Sequence, residues 1–309
     1  KLLSCMDMKN LLDIRTPLKR GAMIVLSHPI FLFFGAFVAV PKILSQFFFF
    51  GKSFEEGGIE VSQINMGNSP PLDMALFFFF VFVTLAVGSF GIVMLVLLAN
   101  RHENNEKSSK ASLRKFALAR VAPVIRLELL FVAFAIIIGV LVMAPGDIAL
   151  ARGLRGLSQA LSFSALGLIL SVSVLFFFLR QYAILYLSLS NISLRDSLEN
   201  ANRLFRLHIK ETFLLGAALL FVELFSFFLL SFLFSLVEGI LKSVPFPSFG
   251  KMLFEWALMI GTFSFLEAWN WASWTLFFRG IALPKEPEAV LQKLETVLQQ
   301  ESAVGLDKA

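Results

Sequence analysis

Apolar residues run in long blocks along this chain, separated by short polar stretches rich in lysine and arginine. Crossing ~30 Å of hydrocarbon takes about 20 apolar residues at helical rise. Six blocks reach or approach that length: roughly 23–50, 72–99, 127–144, 157–187, 212–241 and 252–278. Helices are required, because lipid offers exposed backbone groups no partner. The expected fold class is all-α: a polytopic integral membrane protein of about six transmembrane helices, with amphipathic interfacial helices on the cytoplasmic side. Residues 1–283 read as a single membrane domain. Residues 284–309 read as a cytosolic helical tail striped by Val290, Leu291, Leu294, Val297 and Leu298. In the first block Pro41 and Lys42 place the end of the span near Val40, with Phe47 to Phe50 at the outer interface. The third block is short and is expected to stop before Pro145.

Composition strengthens the membrane reading. Of 309 residues, 57% are hydrophobic, 37 are Phe and 16% are charged, with a mean hydropathy of +0.79. A soluble domain holds roughly 45–50% apolar and about 25% charged residues, and one compact core cannot hide the difference. A net charge of +5 could point to nucleic acid. The basic residues sit between the apolar blocks, however, where membrane topology accounts for them, so no nucleic-acid partner is expected. With Cys5 as the single cysteine there is no disulfide framework, and no Cys/His spacing suits zinc; neither metal nor cofactor is expected. Leu2-Leu3-Ser4-Cys5 has the shape of a lipoprotein cleavage box, but no apolar signal core precedes it, and Cys5 reads as a cytosolic thiol. The chain opens at Lys1 rather than Met, which leaves room for residues upstream.

Charge sets the expected orientation. Lys and Arg collect in the N-terminal segment, the second loop, the fourth loop with Arg180 just before it, and the tail, which together hold 21 of the 27 basic residues. Lys42, Lys52, Arg152, Arg155, Lys242 and Lys251 are the remainder. Under the positive-inside rule this alternation places both termini in the cytoplasm, and anionic headgroups become natural partners of the basic face. The first external loop, 51–71, carries Glu55, Glu56 and Glu60 and reads as a solvated connection.

Each cytoplasmic stretch ends in an amphipathic segment leading into a span. Ser112-Leu113-Arg114 opens a face of Leu113, Phe116, Ala117 and Val121. Ser193-Leu194-Arg195-Asp196, 81 residues later, opens Leu194, Leu198, Ala201, Phe205 and Ile209. Ser193 suits an N-cap and Asp196 the first turn. Leu11, Leu12, Ile14 and Lys19-Arg20 form a third such segment. Helices of this kind lie in the interface, apolar face down. The chain therefore reads as three copies of interfacial helix plus hairpin, or as ordinary juxtamembrane segments with no duplication. This layout, with Ser-Leu-Arg-Lys-Phe-Ala-Leu-Ala-Arg at 112–120 and Ser-Leu-Arg-Asp-Ser-Leu-Glu-Asn-Ala-Asn-Arg-Leu-Phe at 193–205, resembles six-span bacterial inner-membrane proteins related to the membrane domain of glycerophosphodiester phosphodiesterases. The resemblance implies the six-span fold and the inner membrane. It implies no activity, since those enzymes work through a separate soluble barrel for which this chain has no room.

Ionisable residues at membrane depth are costly and mark function by default. Glu223 lies 13 residues past Lys210 and Glu267 12 residues before Arg279, which puts both about 18–20 Å from the cytoplasmic boundary at ~1.5 Å per residue. Thr212, Gly216, Glu223, Ser226, Ser231 and Glu238 share one helical face, and Glu267, Asn270, Trp271 and Trp274 another. Glu223 and Glu267, with Asn270 and with Arg180 as counter-ion, are therefore the candidate intramembrane polar site. Two close carboxylates there would share a proton. The bland alternative has each glutamate hydrogen-bonded across a helix interface and Arg180 snorkelling to the headgroups.

Other signals are weaker. His28, His102 and His208 lack metal spacing, Gly88-Ser89-Phe90-Gly91 reads as a close helix contact, and Trp256, Trp269, Trp271 and Trp274 read as aromatic packing. No nucleophile elbow, P-loop or His-Glu-x-x-His pattern occurs, so no catalytic residue is assigned and no enzyme activity expected. The expected function is a non-enzymatic membrane scaffold, bound to a protein partner through the cytoplasmic loops or tail, or a transporter-like module. A proton- or cation-linked transporter using Glu223 and Glu267 is one alternative, and an intramembrane lipid-acting enzyme another.

Overall fold

The structure, a computed structural model, describes residues 14–50, 71–104, 110–190, 192–241 and 248–282. Cys5, Leu11 and Leu12, most of the acidic loop and the tail fall outside them. Every regular element among the described residues is helical: α1 (Arg15–Ser27), α2 (Ile30–Phe50), α3 (Pro71–Glu103), α4 (Lys110–Ala151), α5 (Arg155–Leu189), α6 (Leu194–Leu207), α7 (Ile209–Leu241) and α8 (Ser248–Ala282). Four of them, α3, α4, α5 and α7, are long and apolar enough to cross a membrane. The number is five if α1 and α2, bent by 105°, form one broken span. The 35-residue α8 carries Glu255, Glu267, Asn270 and Arg279 and does not pass on apolarity alone.

The bend in the first block is local chemistry. His28 adopts an extended conformation (φ −134°, ψ 97°), as the residue before Pro29 must when the proline ring crowds its helical conformation. Other prolines do not end their helices. Pro41 lies inside α2, and Pro123 and Pro145 inside α4. The helices therefore run on past Val40 and Pro145, to Phe50 and Ala151. A proline removes one donor, a loss that neighbouring helices make tolerable in a membrane span.

At 42 residues α4 is one continuous helix, ~63 Å long and about twice the hydrocarbon thickness. The segment from Leu113, expected as a separate interfacial helix, forms its opening turns. It ends in a Schellman cap: Leu154 N–H reaches Ala149 O at 3.0 Å and Gly153 N–H reaches Leu150 O at 2.9 Å. That closure needs a left-handed residue, supplied by Gly153 at φ 77°. It turns the chain into α5, which packs against α4 along its length.

Buried apolar side chains gather at one end of the bundle. They come from Phe31 and Phe34 of α2, Ile92–Leu97 of α3, Leu113–Leu127 of α4, Phe178–Leu187 of α5, Ala201 and Phe205 of α6, Leu215 of α7 and Ala268–Phe278 of α8. Trp274 is fully buried at the centre, with Tyr182 edge-on at 5.8 Å and Phe178 at 6.1 Å. Two arginines tie off helix ends here, where exposed carbonyls favour a cation. Arg279 donates to Asn100 O at 2.9 Å at the end of α3, and Arg120 to Ser190 O at 2.5 Å after α5. Toward the other end α4, α5 and α7 present apolar faces to the outside, among them Ile136, Leu141, Phe163, Leu170, Phe221, Phe228 and Phe232.

The helix α6 follows its sequence signals. Ser193 Oγ accepts from Asp196 N–H at 3.2 Å and donates to the Asp196 carboxylate at 2.7 Å. Its apolar face, expected to lie on lipid, instead packs on α5 and the core: Ala201 is fully buried and Phe205 stacks on Phe178 at 5.8 Å. Ile209, placed on the same stripe, belongs to α7 and is exposed. Replacing Ser193 by Ala is expected to cost about 1 kcal/mol and to speed hydrogen exchange in the first turn of α6, read by mass spectrometry.

Candidate functional site

His28 touches His102 edge-on at 4.8 Å, so the start of α2 lies at the end of α3; Arg279 reaches Asn100, so α8 ends there too. Thus α2 runs antiparallel to α8. The two cross closely at Gly35, where a Cβ would strike the Ser264 carbonyl and approach Ala268, the small-residue contact that brings membrane helices together. Glu267 lies between those two contacts and is 4% exposed. Lys42 sits about two turns further along α2, and its Nζ reaches the Glu267 carboxylate in an ion pair. Cβ bonds tilt toward the N-terminus of each helix, so on antiparallel helices the two side chains lean toward one another.

Glu223 of α7 joins this pair. Leu219, Glu223, Leu266, Glu267, Trp269 and Asn270 line one cleft of about 10 Å³, room for roughly a single water. Glu223 lies within electrostatic reach of both Lys42 and Glu267. The Asn270 Oδ1 is buried and has no donor among the described residues. The wall of the cleft thus holds two carboxylates and a free carbonyl acceptor, and the Lys42 ammonium pairs with one of the carboxylates. Counted as charges among the described residues, one negative charge is uncompensated.

Of the residues expected at the site, Glu223, Glu267 and Asn270 come together, and Arg180 does not join them. Its Nε donates to Glu128 Oε2 at 2.7 Å and a terminal nitrogen to Oε1, a bidentate pair across the α4–α5 hairpin. Glu128 and Arg180 stand equidistant in sequence from Leu154, as do Gly146 and Ser162, which also touch. Arg180 is thus the partner that the hairpin register dictates. The polar stripe on α7 also divides. Thr212 bonds Tyr182 at 2.5 Å and Gly216 lies against Phe178, both on α5, whereas Ser231 is exposed. Trp271 and Trp274, on the Glu267 face, are core residues.

Lys42 and Glu128 are the residues that sequence reasoning missed. Lys42 follows Pro41, and reading that proline as the end of a span put it outside. The available signal was a lone lysine within an apolar block, which needs a carboxylate at its own depth. Glu128 was hidden by counting only basic residues near the start of its span. Among the described residues no three His, Cys, Asp or Glu cluster as metal ligands. Set against protein-family models, curated proteins and solved structures, the chain finds no match in any of the three.

Proposed function

We propose that this chain is a six-span protein of the cell inner membrane with both termini cytoplasmic. It acts without catalysis as a transporter-like module around a proton-linked site formed by Glu223, Glu267 and Asn270, with Lys42 as counter-ion. The reading rests on one observation, the shared cleft with an uncompensated carboxylate. A charge at membrane depth is neutralised at least cost by binding a proton or small cation, and a space of one water excludes anything larger in this conformation. The six-span count takes α1–α2 as one broken span and α8 as the last, its polar side chains turned inward; the charge alternation supports the orientation. Because α7 touches α8 and α6 only sparsely, a tilt of α7 would open Glu223 to solvent and leave Glu267 with Lys42.

Infrared difference spectroscopy of the protein in lipid, stepped in pH, tests the site. A protonated-carboxyl band that disappears in Glu223→Gln supports it; a spectrum with no such band, or one unchanged in both Glu223→Gln and Glu267→Gln, removes it.

The basic cytoplasmic loops and tail support a second reading, a membrane scaffold that binds a protein partner. A stoichiometric partner recovered from membranes, with no carboxyl band, would favour that reading.

A further inference from the structure

A second cleft lies at the basic end of the bundle, between α1 and the last turn of α3. It measures about 170 Å³ and is lined by Arg20, Met23, Ile24, Ser27, His102 and Glu103. Its position follows from the bend. Turned 105° from α2, α1 crosses the bundle end and packs on α8, with Gly21 against Ser273 and the Trp269 indole donating to Leu18 O at 2.8 Å. Gly21, Ile24 and Val25 are buried, which leaves Arg20, Met23 and Ser27 on the open side.

Arg20, Glu103 and His102 of this cleft have partners. Arg20 donates through one terminal nitrogen to Glu103 Oε1 at 2.9 Å. That contact places the guanidinium at the cleft and offsets the carboxylate charge, while most of its five N–H donors stay available. His102 is braced edge-on by His28, with centroids 4.8 Å apart. Arg101 in the same turn and Lys19 on α1 keep this end of the molecule cationic. Met23 and Ile24 supply an apolar flank. A positioned guanidinium fork matches two oxygens of a phosphoryl group, an imidazole adds a donor, and the apolar flank suits the carbons of a phosphate ester. At roughly 30 Å³ per water, the space takes a phosphoryl group with waters around it.

We propose that this cleft is a phosphoryl-binding site, filled by an anionic phospholipid headgroup or by free phosphate. It is separate from the mid-depth carboxylates and stands whether or not they carry a proton.

Protein purified in a neutral detergent is titrated with dioleoylphosphatidylglycerol, with dioleoylglycerol, which lacks the phosphate, or with inorganic phosphate, and Tm is read by tryptophan fluorescence. Near saturation a specific ligand should raise Tm by about 5 °C. The phosphatidylglycerol shift is expected, with none from dioleoylglycerol. Arg20→Gln should weaken the response at least tenfold. Glu103→Gln breaks the same ion pair but keeps the cation, so it should retain the response. Stabilisation by inorganic phosphate as well identifies a free anion as the occupant; stabilisation by the lipid alone identifies the headgroup. Should Arg20→Gln fail to fold, His102→Ala, also expected to weaken the shift, replaces it. Equal stabilisation by dioleoylglycerol, an undiminished shift in the folded variant, or no shift with any ligand overturns the proposal.

Discussion

Replacing Glu128 by Ala is expected to lower the stability of the purified protein by about 3 kcal/mol, the loss typical when one partner of a buried ion pair is removed. The Glu128 side chain is 9% exposed and that of Arg180 27%, so the arginine left behind has little water to turn to. Its bidentate contact is also the only ion pair among the described residues joining α4 to α5. The cost comes from an unpartnered charge, so Glu128→Leu with Arg180→Leu should recover most of it. Unfolding in mixed micelles measures both variants. A single variant as stable as the parent would show that Arg180 is solvated by other means.

Lys42→Met should cost a similar amount, about 3 kcal/mol, because it strands Glu267 at 4% exposure beneath the α2–α8 crossing. Combining it with Glu267→Gln should return the protein to within about 1 kcal/mol of its starting stability, since neither charge is then left unpaired. The same micelle unfolding assay reads the effect. A double variant no better than the single would mean that Lys42 supports the fold by packing its stem and not by neutralising Glu267.

How legible these features were in the sequence depended on whether the signal was local. The N-cap at Ser193, with Asp196 three residues on and Ala201 and Phe205 on one face, needed only neighbouring residues, and α6 forms as read. What that face packs against was not legible, because lipid and the end of α5 are equally apolar to a periodicity argument. Prolines misled for a related reason. Pro29 breaks the helix and Pro41 and Pro145 do not; a proline's position in the chain does not by itself show which outcome it takes. Depth counted from the nearest basic residue placed Glu223 and Glu267 at one level, and they share a cleft. The same arithmetic could not choose their counter-ion. Arg180 is in register with Glu128, and Lys42 reaches Glu267 only because α8 docks on α2 as well as on its sequence neighbour α7. Pairings set by long-range docking stay invisible to a reading that proceeds span by span.

The meeting of Glu223 and Glu267 in one cleft carries the functional reading, and cysteine crosslinking in native membranes tests it most directly. With Cys5 replaced by Ser, Glu223→Cys and Glu267→Cys are introduced together and treated with a short bismaleimide. Rapid crosslinking within one chain, seen as a mobility shift of the monomer and absent from each single variant, is the predicted result. Two cysteines that label separately with monofunctional maleimide yet never join would contradict the account, because the carboxylates would then face different surroundings.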